Sequence, residues 1–549
     1  MMMWSVRFLG VVWVGVVAAT VALGHDHTRP QAVKKQRARP QQTQSSDAGD
    51  SCRLTIRLFT NTPRRAVPGV IRITERDAGK PLQLKSLIQR EQGWHSMPAK
   101  ATIVVPQRQL VIEALRGLQT ERWQRMLDLR GKNTATVTIS LTQFSDLQQR
   151  GWRNGNTHLH LMKLTYAEAD RYLREVPASD GLDLVFLSHL RRIPDERTYI
   201  SNTIVENSLP GGDLARLSQQ GILFRPGEEH RHNFGRGGEG YGHVMFLDIA
   251  KLIRPVSLGP GIMAQGTDGI PLQRGIREAH ADGATVVWCH NTFGFEDIPN
   301  WMAGQLDAQN IFDGGSRGSY QESFYRYLNL GLQVPFSTGT DWFIEDFSRV
   351  YVPVSGELTS KKWLSQFTAG RTWITNGPLL ELEVDQAQIG DTLQLATAQS
   401  LQVRARATGR ANFQRIELIH NGNIVAVSKA QADKGHFVAT LKTKVRVDEP
   451  GWLALRTPLS SEKNAGTQAG KNVFGKPLYS HTSPVYLQFQ GQRIFRPQVA
   501  RELVGEIQEN LATIREKAIF ADAQERQAVE GVYREALQTL QQRLKENQP

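Results

Sequence analysis

Cysteine is nearly absent from this chain. Cys52 and Cys289 are the only two in 549 residues, and they fall in segments read below as different domains, so a disulfide framework cannot hold the protein together. Stability must come from buried cores, and a chain of this length is expected to build several. Cys289 precedes a histidine, but on a strand its side chain points away from that neighbour, so the expected role is a small buried hydrophobe. A phosphate-binding loop is also lacking. The glycine-rich stretch 233–240 has no Gly-Lys-Ser/Thr ending and no following helix, which makes a nucleotide site a poor reading. It reads instead as a loop over a site, with Arg236 able to meet an anionic substrate.

No nucleic-acid motif accompanies the net charge of +13. Part of that excess lies in Lys34, Lys35, Arg37 and Arg39, within a segment (25–50) rich in Gln, Ser, Pro and Ala and poor in large apolar residues. Such a segment cannot bury enough surface to fold. It is expected to be a disordered basic linker with weak, salt-sensitive association to anionic envelope polymers, and nucleic acid is not an expected partner. The apolar run from Phe8 to Leu23 is short for a bilayer span and broken by glycines. With Met1 to Arg7 before it and Ala22-Leu23-Gly24 as a small-residue cleavage site, residues 1–24 read as a signal peptide, which implies export to the periplasm or beyond. No cysteine lies near that site, which argues against lipid attachment.

From 51 to 143, short runs such as Leu54-Thr55-Ile56-Arg57-Leu58 alternate apolar and polar residues, predicting an N-terminal β-sandwich. From 144 to 375, apolar strand runs alternate with helix-like stretches, predicting an α/β barrel-like domain whose chemistry gathers at the C-terminal ends of its strands. Residues 376–490 return to short β runs and read as a C-terminal β-sandwich. Residues 491–549 form a helical tail of one or two amphipathic helices, with packing the expected role.

The middle domain carries a series of metal-ligand residue types. In Asn156-Thr157-His158-Leu159-His160 the two histidines are at i and i+2, so on a strand both face the same side and can share one cation. His189, Glu228 and Glu229, His243, His290 and Asp341 each come after a predicted strand.

The ordered strings Gly155-Asn156-Thr157-His158-Leu159-His160, Pro226-Gly227-Glu228-Glu229, Gly242-His243-Val244, Trp288-Cys289-His290 and Ser337-Thr338-Gly339-Thr340-Asp341-Trp342 resemble the PHP (polymerase and histidinol phosphatase) superfamily. The resemblance is greatest to its CehA/McbA-like metallohydrolases and covers about two hundred residues, with 370–378 similar to the segment that closes the metal domain there. It implies a central distorted (β/α)7 barrel of the PHP type. It also implies one ion held by His158, His160, Glu229 and Asp341 and a second held by Glu229, His243 and His290, with Glu229 bridging. Strand geometry points one of Glu228 and Glu229 inward, and the family's Gly-x-Glu selects Glu229. The pattern for a third metal is missing, since Tyr166 stands where a histidine is usual and the last motif reads Asp341-Trp342-Phe343. His189, preceded by Ser188 instead of an acid, is then expected to face the substrate or support a ligand.

Imidazole with carboxylate suits Zn, Mn or Fe, and two such ions would generate a hydroxide nucleophile from bound water and stabilise an oxyanion. The expected function is an exported hydrolase of an ester, carbamate or amide bond in a small-molecule or polymer-borne substrate, with phosphoester cleavage on the same site as the alternative. Catalytic candidates besides Glu229 are His189, His232, Arg231 and Lys163, with Asn291 as a further hydrogen-bond donor. Trp288, Phe293, Trp301 and Trp342 suggest an apolar substrate or ordinary core. The competing class is a non-catalytic cell-envelope binding protein. Against it stands the cost of gathering so many carboxylates and imidazoles with no metal to neutralise them.

Overall fold

Every second side chain of the strand Ser51–Asn61 is buried, so Cys52, Leu54, Ile56 and Leu58 line one face while arginines and threonines line the other. In this computed structural model that strand pairs antiparallel with Lys100–Pro106 and parallel with Thr134–Leu141. A second sheet, built on Gly69–Glu75 and Gln109–Leu115, supplies Ile71, Ile73 and Ile112 to the same core. The structure describes residues 51–547 except 62, 193–197, 210, 220, 235–237, 264–265, 292–293, 314–317 and 460–469. The expected signal peptide, the basic linker, Arg236 and Phe293 therefore lie outside the described residues. Among the described residues no helix is long and apolar enough to cross a membrane.

The sheet that carries the candidate site comprises β1 (Trp152–His160), β2 (Leu184–His189), β3 (Leu223–Phe234), β4 (Gly238–Leu247), β5 (Ser257–Leu258), β6 (Thr285–Trp288), β7 (Ala308–Asn310), β8 (Phe336–Ser337), β9 (Asp341–Trp342), β10 (Arg349–Pro353) and β11 (Trp373–Thr375). Parallel pairing links β1 to β2 and β2 to β3. Then β3 turns back as an antiparallel hairpin with β4, β4 pairs antiparallel with β6, and β6, β7 and β8 run parallel. The crossover from β1 to β2 is α1 (Tyr166–Asp180), started by a reciprocal Thr165–Glu168 capping box and stopped by Gly181 in the left-handed conformation. A second crossover helix, α2 (Leu272–Ala281), precedes β6.

The expected (β/α)7 barrel between two β-sandwiches is corrected here. Among the described residues strand content is 39% against 24% helix, and no closed barrel is shown. At one end β9 pairs with β1, while the ladder at the other end stops with β8 on β7. Two things in the sequence obscured this. Apolar runs between helix-like stretches do not say whether a strand pairs parallel or antiparallel, and the glycine-rich stretch taken for a loop includes the flanks of the β3–β4 hairpin. Nor are the C-terminal strands a detached layer. β10 pairs with β1 and with β11, and β11 pairs with Ser480–Thr482, so hydrogen bonding runs on into the C-terminal strands. Facing these is a separate five-stranded sheet containing Leu379–Val384, Gln399–Gly409 and His436–Val447, and both contribute to one core.

The tail forms two helices, α3 (Pro497–Lys517) and α4 (Ala523–Glu546). Leu503, Ile507, Val529 and Tyr533 enter the same core as Phe246 and Trp288 of the site sheet. Asp268 ties the tail down twice, donating its backbone N–H to Ile519 O and accepting the Ile519 N–H at Oδ2, each at 2.7 Å.

Candidate metal centre

Period-two geometry at the end of β1 puts His158 and His160 on one face and buries Leu159 on the other. Their Nε2 atoms lie 3.0 Å apart. The opposite nitrogens are committed elsewhere: His158 Nδ1 is 2.8 Å from Asp313 Oδ2, and His160 Nδ1 is 3.0 Å from the Ser188 carbonyl. Both acceptors require N–H at Nδ1, so both Nε2 lone pairs point into the shared space. Asp341, the first residue of β9, pairs with Leu159 and brings Oδ1 within 3.4 Å of His158 Nε2 and 3.9 Å of His160 Nε2. Gly339 lets this segment pass close to β1, because a Cβ there would sit 2.5 Å from that of His158.

Along β3 the same period separates two sets of side chains. Glu229 and Arg231 turn toward the histidines, whereas Glu228, His230 and His232 turn to the opposite face. Glu229 Oε2 is 3.0 Å from His160 Nε2, and Oε1 is 3.1 Å from His243 Nδ1 and 3.5 Å from His290 Nε2. Glu229 thus offers one oxygen to each of two histidine pairs. His158, His160, Glu229 and Asp341 form one group whose ligand atoms all lie within 4.8 Å of one another, and Glu229, His243 and His290 form another. The six residues predicted as metal ligands are brought together, and these groups could hold a metal ion.

A third such group, His158, His290 and Asp313, contains a residue that the sequence reasoning missed. Asp313 Oδ2 contacts His158, and Oδ1 accepts the His290 backbone N–H at 3.1 Å. Asn310 Nδ2 donates to the same carboxylate at 2.8 Å. Asp313 comes just after the short strand β7, and an acid in that place was the only signal available for it. His290, Asn291, Asp341 and Phe343 all hold positive φ angles between 55° and 63°. In a non-glycine residue that backbone costs about 1 kcal/mol or more, and such residues concentrate at functional sites.

Electrostatics matches the geometry. Burial opposes the charge on Glu229, but Arg231 and the histidines around it hold its carboxyl well below the usual carboxylate range. Burial works against protonation of His158 too, yet Asp341, Asp313 and Glu229 raise it to about 9. His243 goes the other way, lowered by burial and by the Arg231 charge. Glu229 Oε1 is buried and makes no hydrogen bond among the described residues, which is the environment a cation would complete. Two carboxylates and four imidazoles, turning carboxylate oxygens and ring nitrogens inward, are a donor set suited to Zn, Mn or Fe.

The remaining candidates separate. Arg231 is buried, with Nη1 3.5 Å from Glu229 Oε1. His189 lies outside the ligand groups, with Nε2 3.0 Å from Glu206 Oε1. It lines a cleft of about 530 Å³ together with Lys163, Glu168, Tyr199, Asn202 and Glu206. Trp342 connects this cleft to the centre, its ring 5.0 Å from that of His160 and 5.2 Å from that of Tyr199. Lys163 is exposed on the cleft wall. His232 is not brought to the centre. It stacks on Tyr241 at 3.8 Å, accepts the Tyr241 N–H at Nδ1 and sets Nε2 2.9 Å from Asp268 Oδ1. Glu228 is likewise turned away, bonded to His230 Nδ1 and to the Ile253 N–H. Asn291 Oδ1 accepts the Phe312 N–H. Cys289 is wholly buried, and burial pushes its thiol pKa well up. Trp288 and Trp301 are core.

No family model and no curated protein matches the chain. Among solved structures, the crystal structure of an engineered protein from the Northeast Structural Genomics Consortium aligns at 10% identity over 58% of this chain and 52% of its own length. Its TM-score of 0.15 carries no argument about fold or function.

Proposed function

We propose that this protein is an exported metal-dependent hydrolase, cleaving a carboxylic ester, carbamate or amide bond. The observation that carries the reading is Glu229, whose two carboxylate oxygens each face a separate pair of buried imidazoles. The ordered motifs that resemble CehA/McbA-like metallohydrolases support the same reaction class. His158, His160, Glu229 and Asp341 would hold one ion, and Glu229, His243 and His290 a second. When bound, such ions supply Lewis acidity and acidify water near neutral pH.

The protein's own groups do the rest. Asp313 fixes the tautomer of His158 and orients His290 by its backbone, so both rings present a set nitrogen without searching rotamers. His189, with Nε2 against Glu206 and its pKa lowered by burial, stands beside the cleft as an imidazole able to accept a proton. Trp342 and Tyr199 give that cleft an aromatic wall between the ligands and solvent. The Arg231 guanidinium, 3.5 Å from Glu229 Oε1, favours a substrate with anionic character, and this keeps phosphoester hydrolysis as the second reading.

Elemental analysis of the purified protein, followed by aryl ester, carbamate and phosphate substrates with and without chelator, tests the proposal. Bound transition metal with chelator-sensitive cleavage of the ester or carbamate is expected. Absence of metal after supplying Zn and Mn, or turnover indifferent to chelation, would overturn it.

A further inference from the structure

The two groups that share Glu229 are unequal, and a guanidinium is the reason. On the Oε2 side stand two imidazoles and a second carboxylate, Asp341. On the Oε1 side stand His243 at 3.1 Å, His290 at 3.5 Å and Arg231 Nη1, also at 3.5 Å. The second group therefore has no carboxylate of its own, and its one shared oxygen already faces a fixed positive charge.

Arg231 has little freedom to retreat. It is the direct cross-strand partner of His243 on β4 and pairs with Ser257 of β5 on its other side. Its side chain is 6% exposed, and Nη2 reaches toward Asn233 Oδ1 at 3.4 Å. A buried charge in this position is poorly screened by water or salt. A divalent cation entering between Glu229, His243 and His290 must approach it within a few ångströms.

We infer that Arg231 makes the centre asymmetric: the position formed by His158, His160, Glu229 and Asp341 binds a divalent cation tightly, whereas that formed by Glu229, His243 and His290 binds one weakly and exchanges it readily. This rests on the proposal that the cluster holds ions at all. Arg231 is here a specificity-determining residue for metal occupancy, a role distinct from any contact with substrate.

The test is calorimetric titration of the metal-stripped full chain with Zn²⁺ or Mn²⁺, with elemental analysis after desalting. Wild-type protein should retain one ion through desalting and bind a second at least about tenfold more weakly. Arg231→Met should strengthen the weaker site by about tenfold or more, and Arg231→Lys, which keeps the charge, should leave the asymmetry in place. His243→Ala should remove the weak ion alone, and His160→Ala the tight one. Two equal affinities in the wild type, or an asymmetry unchanged in a folded Arg231→Met, overturns the inference and leaves the hydrolase proposal standing. No binding by the wild type overturns both. Should Arg231→Met fail to fold, the wild-type titration and His243→Ala decide: equal sites, or retention of the weak ion without His243, reject the inference.

Discussion

His158 Nε2 and His160 Nε2 face each other across 3.0 Å while both Nδ1 atoms are engaged by acceptors. Two neutral imidazoles do not hold that arrangement willingly, because the lone pairs repel. A shared cation turns the repulsion into attraction. A proton can serve, as the raised His158 pKa of about 9 indicates, and a metal ion can serve better because Glu229 and Asp341 complete its shell.

Replacing either histidine should therefore empty the position. His160→Ala is expected to lose the tightly held ion and to lower chelator-sensitive turnover by more than the roughly 10–100-fold typical of losing an outer partner. Elemental analysis and kinetics on the same preparation check it. Full metal content in His160→Ala would remove that residue from the ligand set.

Asp313→Asn keeps the size of the side chain but removes the charge that fixes His158 Nδ1–H and receives the His290 backbone N–H. Metal affinity should fall by about 10–100-fold, measured by competition with a chromophoric chelator. An unchanged affinity would show that the carboxylate only supports the loop.

Much of this centre was legible because a strand has a period of two. His158 and His160 share a face for that reason, and so do Glu229 and Arg231. The same rule, applied further along β3, separates His232 from them: it has the parity of Glu228, and the structure finds it bonded to Asp268 on the far side. Along β3 that parity is present in the sequence at every position from Glu228 to His232. Asp313 was harder to read, because β7 spans three residues, too short a run to show the alternation that would mark the acid beyond its end. The sheet's failure to close was not legible at all. Strand-like runs do not encode their partners, and the antiparallel β3–β4 hairpin falls on the glycine-rich stretch that reads as a loop.

Glu229→Gln and Glu228→Gln form a matched pair that tests the parity directly. The first should abolish binding of the second ion and most turnover. The second should leave metal content intact and cost about 1–3 kcal/mol of stability, since Glu228 accepts the buried Ile253 N–H and pairs with His230. Metal analysis and denaturant unfolding distinguish the two, and reversed effects would mean that β3 presents its other face.

Asp268 joins the tail to β3, with Oδ2 on the Ile519 N–H and Oδ1 near His232 Nε2. Asp268→Ala should cost about 1–3 kcal/mol by removing the acceptor of the Ile519 N–H and leaving the buried His232 Nε2 without its carboxylate. Because His232 is turned away from the ligands, metal stoichiometry in the folded fraction should not change. A large loss of metal with little change in melting temperature would place His232 in the chemistry after all.

Stability should also fall as pH rises toward neutrality, through Glu296. This carboxyl is fully buried, accepting the N–H groups of Leu272 and Gln273 at the start of α2. Burial raises its pKa to about 7, against the opposing pull of those N–H groups and Asn300. The folded state therefore holds a proton that the unfolded chain, with an ordinary carboxylate pKa near 4.5, has already released. The contribution is fully present below about pH 4.5 and is lost as pH rises through about 7, a span worth roughly 3 kcal/mol. Glu296→Gln keeps an acceptor oxygen for the helix but cannot ionise, so the difference in melting temperature between variant and wild type should widen in the variant's favour between those two pH values. Parallel profiles across that window would show that Glu296 is already ionised in the folded protein, stabilised by the first turn of α2.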